Sequence, residues 1–222
     1  MTDGAFNLPD PTTMIGLLAG LSLLPFAVIM VSSYVKIIVV MNLVRNALGV
    51  QQIPPNMVIN GMAIILSVYV MAPVIQESYD LLVEQDITFQ GKDIREIMSA
   101  ADEASGPIKG FLTKHSLSTD RNFFIASAKS LWTPEQAKDI DARDFLVLIP
   151  AFMVHELTTA FEIGFMIYLP FIVVDLIVSN ILLAMGMMMV SPMTISLPFK
   201  LLLFVLISGW SRLIHGLILT YK

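Results

Sequence analysis

Five ionisable side chains lie inside long apolar stretches of this chain: Lys36, Arg45, Glu162, Asp175 and Lys200. A charged side chain near the centre of a membrane helix costs about 2.5–3.5 kcal/mol, so such residues either form pairs or mark a path for ions. Glu162 and Asp175 are the candidates for a proton relay. Because basic and acidic groups are both present, we expect instead that all five form structural ion pairs between helices or subunits.

A second distinctive group is a cluster of methionines on both sides of Gly186 and shortly before Pro192: Met185, Met187, Met188 and Met189. Three interpretations of this cluster are open. Methionine fills irregular gaps in an apolar core, and clustered thioethers are suitable soft ligands for copper(I). Flexible apolar side chains can also close a channel to ions by dewetting and still yield to a wide cargo.

Motifs of enzyme active sites are missing from the sequence. His155-Glu156 could begin a zinc-binding HExxH motif, but the position of the second histidine is occupied by Thr159. His115 and His215 lie far away in sequence, and there is no phosphate-binding loop, dinucleotide fingerprint or nucleophile elbow. We therefore predict that the protein is not an enzyme and has no cofactor and no metal site, and we interpret His155-Glu156 as a polar helix end.

The composition is that of a membrane protein with a polar insert. Hydrophobic residues make up 56% of the 222 positions, and the mean hydropathy is +0.77. The formal net charge of −5 resides in residues 76–144, because acidic and basic residues balance in the rest of the chain. No basic patch points to a nucleic-acid partner, and the absence of cysteine excludes disulfides and thiolate metal sites.

Apolar segments and prolines divide the chain into three predicted parts: an N-terminal helical hairpin over 1–75, a polar insert over 76–144 and a C-terminal helical hairpin over 145–222. The second apolar segment is expected to end at Pro73, and residues 145–159 are expected to form a separate helix at the membrane edge. Five prolines are candidates for hinges or turns, namely Pro54, Pro55, Pro170, Pro192 and Pro198. The fold class predicted is an all-α membrane-associated protein with two bent hairpins flanking a small helical periplasmic insert.

Charges near the turns suggest an orientation for the hairpins. Lys36 and Arg45 flank the first turn, which the positive-inside rule places in the cytoplasm. The insert and both termini are then expected outside, and the N-terminus has no cleavable leader pattern. Within the insert, Ile94, Ile97, Met98 and Ala101 have helical spacing. The run from Thr133 to Gln136 predicts a helix start with a capping box.

Two long runs of this sequence resemble the FliP/SctR family, the flagellar and virulence versions of a core component of type III secretion export apparatus. The runs are LVRNALGVQQIPPNMVINGMAIILSVYVMAPV from Leu43 and FEIGFMIYLPFIVVDLIVSNILLAMGMMMVSPMTISLPFKLLLFVL from Phe161. The segment RNALGVQQIPPN is more similar to the virulence branch of the family than to the flagellar branch. Two positions depart from the family: Ser208 stands where an aspartate is usual before Gly209-Trp210, and His155 stands where a serine is common.

The resemblance implies a subunit of an oligomeric protein-conducting channel in the bacterial inner membrane, with much of the complex on the periplasmic side. Its partners would be copies of itself in a pentameric ring, the T and Q subunits, the larger export-gate protein and the needle or rod base, with unfolded secreted proteins as cargo. The family's methionine loop lines a constriction, which favours the gasket interpretation of Met185, Met187, Met188 and Met189. The alternative is a proton-coupled small-molecule or metal transporter that uses Asp175 and Glu162.

Overall fold

The computed structural model describes residues 11–50, 52–84 and 102–222, and the regular structure in these ranges is α-helical. The prediction of an all-α fold is confirmed. The principal helices, in chain order, are α1 (Pro11–Met30), α2 (Tyr34–Ala47), α3 (Asn56–Glu84), α4 (Gly106–Lys114), α5 (Ser118–Leu131), α6 (Pro134–Ala137), α7 (Phe145–Ala184), α8 (Pro192–Leu206) and α9 (Gly209–Leu219). The insert positions from Ile94 to Ala101 lie outside the described residues.

The longest element is α7, a single helix of 40 residues that contains Pro150 and Pro170. The predicted separate helix over 145–159 is therefore wrong. A proline removes one backbone hydrogen bond and can bend a helix without ending it when the flanking turns continue. At 1.5 Å per residue, α7 is about 60 Å long, which is about twice the hydrocarbon thickness of a bilayer.

Of the two predicted boundaries of the polar insert, one falls inside a helix and the other falls at a helix start. Helix α3 continues past Pro73 to Glu84, so the prediction that this segment ends at Pro73 is wrong, and the proposed limit at 75/76 lies inside a helix. The limit at 144/145 coincides with a helix start, because Asp144 is the N-cap of α7. The predicted helix start at Thr133 is confirmed, with the Thr133 N–H donating to Gln136 Oε1 at 3.4 Å.

The main core forms where α2 packs against α7. One stripe of α2 is almost completely buried and recurs every three or four residues, as expected for a helix with one apolar face. It packs with α7, α8 and α9 in one cluster that includes Ala160, Phe171, Phe204, Leu213 and Leu217. Burying each large apolar side chain contributes about 1.5–3 kcal/mol. The members of the stripe are Ile37, Val40, Met41, Val44 and Ala47.

A second core joins the insert to the two hairpins. It contains Phe111 and Leu112 of α4, Met71 of α3 and Phe152 of α7, together with Tyr221 after α9. The Phe111 and Tyr221 rings stack with centroids 6.0 Å apart. Since the apolar side chains of α4 are covered by α3 and α7, this part of the insert depends on the hairpins for its burial.

The bend between α8 and α9 has a local cause. The two helices meet at 60°, and Ser208 at the junction has φ 53, in the left-handed region. Asp and Asn are the residues most enriched there after glycine, which gives the aspartate of the family a conformational reason. At Gly209, a Cβ atom would lie 2.3 Å from the Phe204 ring, so the close approach requires glycine.

Among the residues that the structure describes, two helices are long and apolar enough to cross a membrane, α3 over Asn56–Val83 and α7. The bent pair of α8 and α9 passes the same criterion when the two helices are taken together. Most large apolar side chains on the outer faces of these helices are exposed, as at Ile65, Phe165 and Val205. The single chain therefore leaves a wide apolar surface for lipid or for other protein.

The closest approach of α2 and α7 gives a stability prediction. A Cβ atom at Gly164 would lie 2.2 Å from Leu43 Cδ1, so Gly164→Ala overpacks the contact and should cost about 1–3 kcal/mol. Gly216→Ala is the matched control, because no atom lies within 4 Å of the position that a Cβ atom would take at Gly216 in α9. Since glycine is unfavourable inside a helix, this variant should stabilise the folded protein by about 0.5–1 kcal/mol. Thermal unfolding in detergent measures both. Equal midpoints for the two variants would contradict this packing.

Candidate functional site

The methionine cluster forms the turn between α7 and α8. Helix α7 ends in a Schellman motif, in which the Gly186 N–H donates to Leu183 O at 3.0 Å and the Met187 N–H donates to Leu182 O at 2.9 Å. Gly186 has φ 71, a conformation that glycine adopts without steric cost. Pro192 then starts α8. The turn is thus fixed by its own backbone hydrogen bonds.

The methionine side chains of this turn point away from the chain's own core. Their exposed fractions are 67% for Met185, 41% for Met187, 80% for Met188 and 99% for Met189. The core-packing interpretation therefore does not describe these side chains within a single chain. In the described part of the chain, no three His, Asp or Glu residues come together in a group that could hold a metal ion.

An apolar groove of about 500 Å³ lies beside the turn, between α7 and α8. Met185 and Met187 form one end of it, and Ile177 and Phe199 lie further along the two helices. A fixed turn, exposed thioethers and an open apolar groove form one continuous surface at this end of the hairpin. This surface, which we call the methionine turn, comprises residues 185–191 and the groove.

The arms of this hairpin are joined by an ion pair between a buried lysine and a half-buried aspartate. Lys200 Nζ of α8 lies 2.5 Å from Asp175 Oδ2 of α7, and Lys200 is 3% exposed. Ser196 Oγ donates to Asp175 Oδ1 at 2.5 Å. Lys200 Nζ also donates to Ala47 O at 3.2 Å, in the last turn of α2, where the helix dipole favours a cation. This ion pair fixes three helices relative to the methionine turn.

A second ion pair lies further down α7, and both of its side chains are buried. Lys36 Nζ of α2 is 2.7 Å from Glu156 Oε1, and Glu156 is completely buried. The Tyr221 hydroxyl is within hydrogen-bonding distance of Glu156 Oε2 and of Ser33 O, the latter at 3.3 Å. The ammonium of Lys36 also lies 4.0 Å from the centroid of the Tyr221 ring, a cation–π contact. Together these contacts join α2, α7 and the C-terminal segment.

Two groups beside this second ion pair keep a single protonation state near neutral pH. Burial raises the pKa of the Tyr221 hydroxyl, and the neighbouring Glu156 carboxylate raises it further, so the hydroxyl remains a hydrogen-bond donor. Burial lowers the pKa of His115 to about 4, with smaller contributions from Lys36, Lys114 and His155. His115 is therefore neutral and adds no second positive charge next to Lys36.

Comparison with known proteins identifies the family. The FliP family model matches residues 17–217. This chain belongs to the FliP family. It is 54% identical over 215 residues to Yop proteins translocation protein R of Yersinia pestis, a match that covers 97% of this chain and 98% of that protein.

Other relatives in the FliP family match over similar lengths. The hypersensitivity response secretion protein HrcR of Ralstonia nicotianae is 49% identical over 210 residues, covering 95% of this chain and 97% of its own. The virulence protein YscR of Salmonella typhimurium is 43% identical over 220 residues, covering 97% of this chain and all of its own. The predicted resemblance to the virulence branch of the family is confirmed.

In this FliP-family chain the five candidate charges have different environments. Asp175 and Lys200 contact each other, whereas the partner of Lys36 is Glu156. The Arg45 guanidinium donates to Asn56 Oδ1 and, at 3.5 Å, to Pro54 O, so its partners are uncharged. Glu162 is exposed on α7 and has no ion-pair partner among the described residues.

Sequence reasoning missed the role of Glu156, because it interpreted His155-Glu156 as a polar helix end, whereas Glu156 lies in the middle of α7 and is buried. A signal was present, because Glu156 follows Phe152 and precedes Ala160 at intervals of four residues, and all three are buried on one face of α7. The signal was missed because the sequence analysis divided α7 into two helices. Once Phe145–Ala184 is one helix, a carboxylate in its buried stripe requires a cation on the opposing helix.

The candidate hinge prolines occupy three kinds of position. Pro54 and Pro55 lie between α2 and α3, and Pro192 opens α8. Pro170 lies inside α7 and Pro198 inside α8 without ending either helix. Their use as hinges during transport stays a prediction.

The buried pair of Lys36 and Glu156 gives a double-mutant prediction. Lys36→Met leaves an uncompensated carboxylate in the core and should cost about 3–5 kcal/mol of unfolding free energy, whereas Lys36→Met with Glu156→Leu should recover most of it. Lys109→Met removes one partner of the exposed pair with Asp102 and should cost about 1 kcal/mol or less. Thermal unfolding in detergent compares the variants. Equal losses for the single and double variants would show that the pair is not coupled.

Proposed function

We propose that this protein is the R subunit of a type III secretion export gate and forms, with further copies, a protein-conducting channel at the bacterial inner membrane. The observation that carries the proposal is the methionine turn, whose backbone is hydrogen-bonded and whose methionine side chains are exposed at the end of a hairpin in a FliP-family chain. A soluble or lipid-facing role gives no reason for four exposed thioethers on a fixed turn.

Family membership supports the broader part of this proposal, a role in a secretion apparatus. The relatives reported above are named for translocation, secretion or virulence, and they match this chain over nearly its whole length. The apolar helices α3 and α7 support a location in a membrane. These relatives are not named as enzymes, in keeping with a structural rather than catalytic role.

The surface of the single chain supports assembly into a ring. Helix α7 is about 60 Å long, so a bilayer covers only about half of it, while exposed apolar side chains continue from Leu146 to Leu183. Neighbouring subunits would cover what lipid does not. We propose a pentameric ring with the T and Q subunits, attached to the larger export-gate protein and to the needle or rod base.

The insert has apolar side chains available for such lateral contacts. Phe123 is 64% exposed and Leu131 is 81% exposed, and Trp132 follows at the end of α5. An apolar surface of this kind on a polar domain marks an interaction site. We propose that it faces the neighbouring copy on the periplasmic side of the membrane.

In this arrangement the methionine turns of all copies meet around the channel axis. A ring of thioethers excludes water and ions when it is closed, because an apolar constriction dewets. Each methionine has three rotatable bonds and is easily repacked, so the ring opens for an unfolded polypeptide and closes behind it. The Asp175–Lys200 ion pair holds the hairpin arms while the turn yields.

The alternative function, a proton-coupled transporter, has less support. Its candidate carboxylate Asp175 is bound to Lys200 and Ser196, and Glu162 lies on an outer face of α7. Neither carboxylate lines any of the five best-formed cavities of the described residues, whereas a small hydrophilic substrate would need a cavity with convergent polar groups.

Replacing the methionines of the turn tests the gasket role. The triple variant with Met187, Met188 and Met189 changed to alanine shortens the side chains that close the ring, so cells with the complete apparatus should leak ions while secretion persists. A membrane-potential dye and a secretion assay measure the two effects. The control variant changes Met57 to alanine, because this methionine is exposed outside the turn, and it should leave the potential unchanged. An intact potential in the triple variant would remove the gasket role.

A further inference from the structure

One face of α7 has no covering element in the described chain. Its exposed residues recur every three or four positions, which is the spacing of one helix face. All but one of the large side chains in the middle of this face are apolar. The apolar members are Phe161, Phe165, Met166, Leu169, Val173 and Leu176. The exception is Glu162, so a single carboxylate lies within an otherwise apolar surface.

Glu162 differs from the other carboxylates of α7. Glu156 and Asp175 each have a lysine within 2.7 Å, whereas Glu162 has no hydrogen-bond or ion-pair partner in the described part of the chain. If this face contacted lipid, the charge would cost about 2.5–3.5 kcal/mol or the carboxyl would have to take up a proton. A covering element that brings a cation avoids this cost.

The same chain has an exposed cation that is equally without a partner. Arg212 lies on the outer face of α9, on one side with Gly216 and Leu219, which are also exposed. Its guanidinium makes no hydrogen bond or ion pair with the described residues. The pair of α8 and α9 is apolar enough to enter a membrane, so Arg212 requires an anion for the same reason that Glu162 requires a cation.

Glu162 and Arg212 lie at similar depth along the molecule. Arg212 lines a cavity of about 460 Å³ together with Ile167 and Pro170 of α7, and Tyr221 contacts Glu156. Helix α9 therefore runs antiparallel to α7, beside the stretch from Glu156 to Pro170. Glu162 lies within that stretch, and only about 7.5 Å of helix axis separates it from Ile167.

We propose that Glu162 of one copy pairs with Arg212 of the next copy, so that the uncovered face of α7 packs against the uncovered face of α9. The proposal rests on the ring assembly proposed above and names one of its contacts. The two faces belong to different helices, so the contact is head-to-tail, and repetition of such a contact by rotation closes a ring. In a closed ring every copy then has both charges matched.

A charge exchange tests the pairing. Glu162→Arg and Arg212→Glu each place like charges together and should reduce recovery of the assembled complex more than about tenfold. The variant with both changes restores opposite charges and should recover most of it. Both residues are exposed in the single chain, so the unfolding midpoint of the isolated subunit serves as the control for folding. Normal assembly of either single variant, or no rescue in the double variant, would overturn the proposal.

Cysteine crosslinking tests whether the contact is between copies. The chain has no cysteine of its own, so two differently tagged copies, one with Glu162→Cys and one with Arg212→Cys, can be expressed together. Crosslinks between the two tags are expected with a short bismaleimide reagent, because an Arg–Glu ion pair can hold its two Cα atoms further apart than the roughly 7 Å that a direct disulfide spans. The control replaces Glu162→Cys with Val154→Cys, which is exposed about 12 Å away along α7, and should not crosslink.

The outcomes separate this inference from the proposed function. If a ring forms but Glu162→Cys links to the T or Q subunit, or to no protein, the pairing is wrong and the export-gate proposal stands. A further variant carries both cysteines on the same copy. If its crosslinks form only within one chain and never between chains, the pairing is also overturned. If the unchanged protein forms no ring with the T and Q subunits, the export-gate proposal fails and the pairing fails with it.

Discussion

The structure depends on the requirement that an ammonium group in an apolar interior must have a counter-charge. Lys36 and Lys200 are both buried, and each has a carboxylate on α7. An isolated charge at either position would be uncompensated, at a cost of several kcal/mol. Because the two pairs lie at separate levels of α7, they fix α2, α8 and the C-terminal segment in one register. The apolar stripes then pack within that register.

This register explains how the chain can present an exposed turn that is also fixed. The Asp175–Lys200 pair joins the arms of the hairpin, and the Schellman motif at Gly186 fixes the end of α7. The methionine side chains are free to change rotamer on a backbone that is held. The channel that we propose must close tightly and still pass chains of many sequences, so it needs both properties, a fixed backbone and adaptable side chains.

Several features could be predicted from local sequence, because they depend on neighbouring residues. They include the helical class and the capping box at Thr133. The partner of Lys36 could not, because it depends on how two distant helices pack, and the helix carrying Glu156 was divided wrongly. The continuity of α7 through Pro150 and Pro170 was missed because a bilayer-length rule was applied to a helix that exceeds it. The lack of a partner for Glu162 was likewise visible only in the folded chain.

The most direct test of this account is electron cryomicroscopy of the complex extracted from bacterial membranes in mild detergent. The account predicts a closed ring of five copies with T and Q subunits, the residues from Met185 to Met189 nearest the axis, and the insert on the periplasmic side of the detergent belt. A monomer or dimer, or a ring whose methionine turns face detergent, would contradict it.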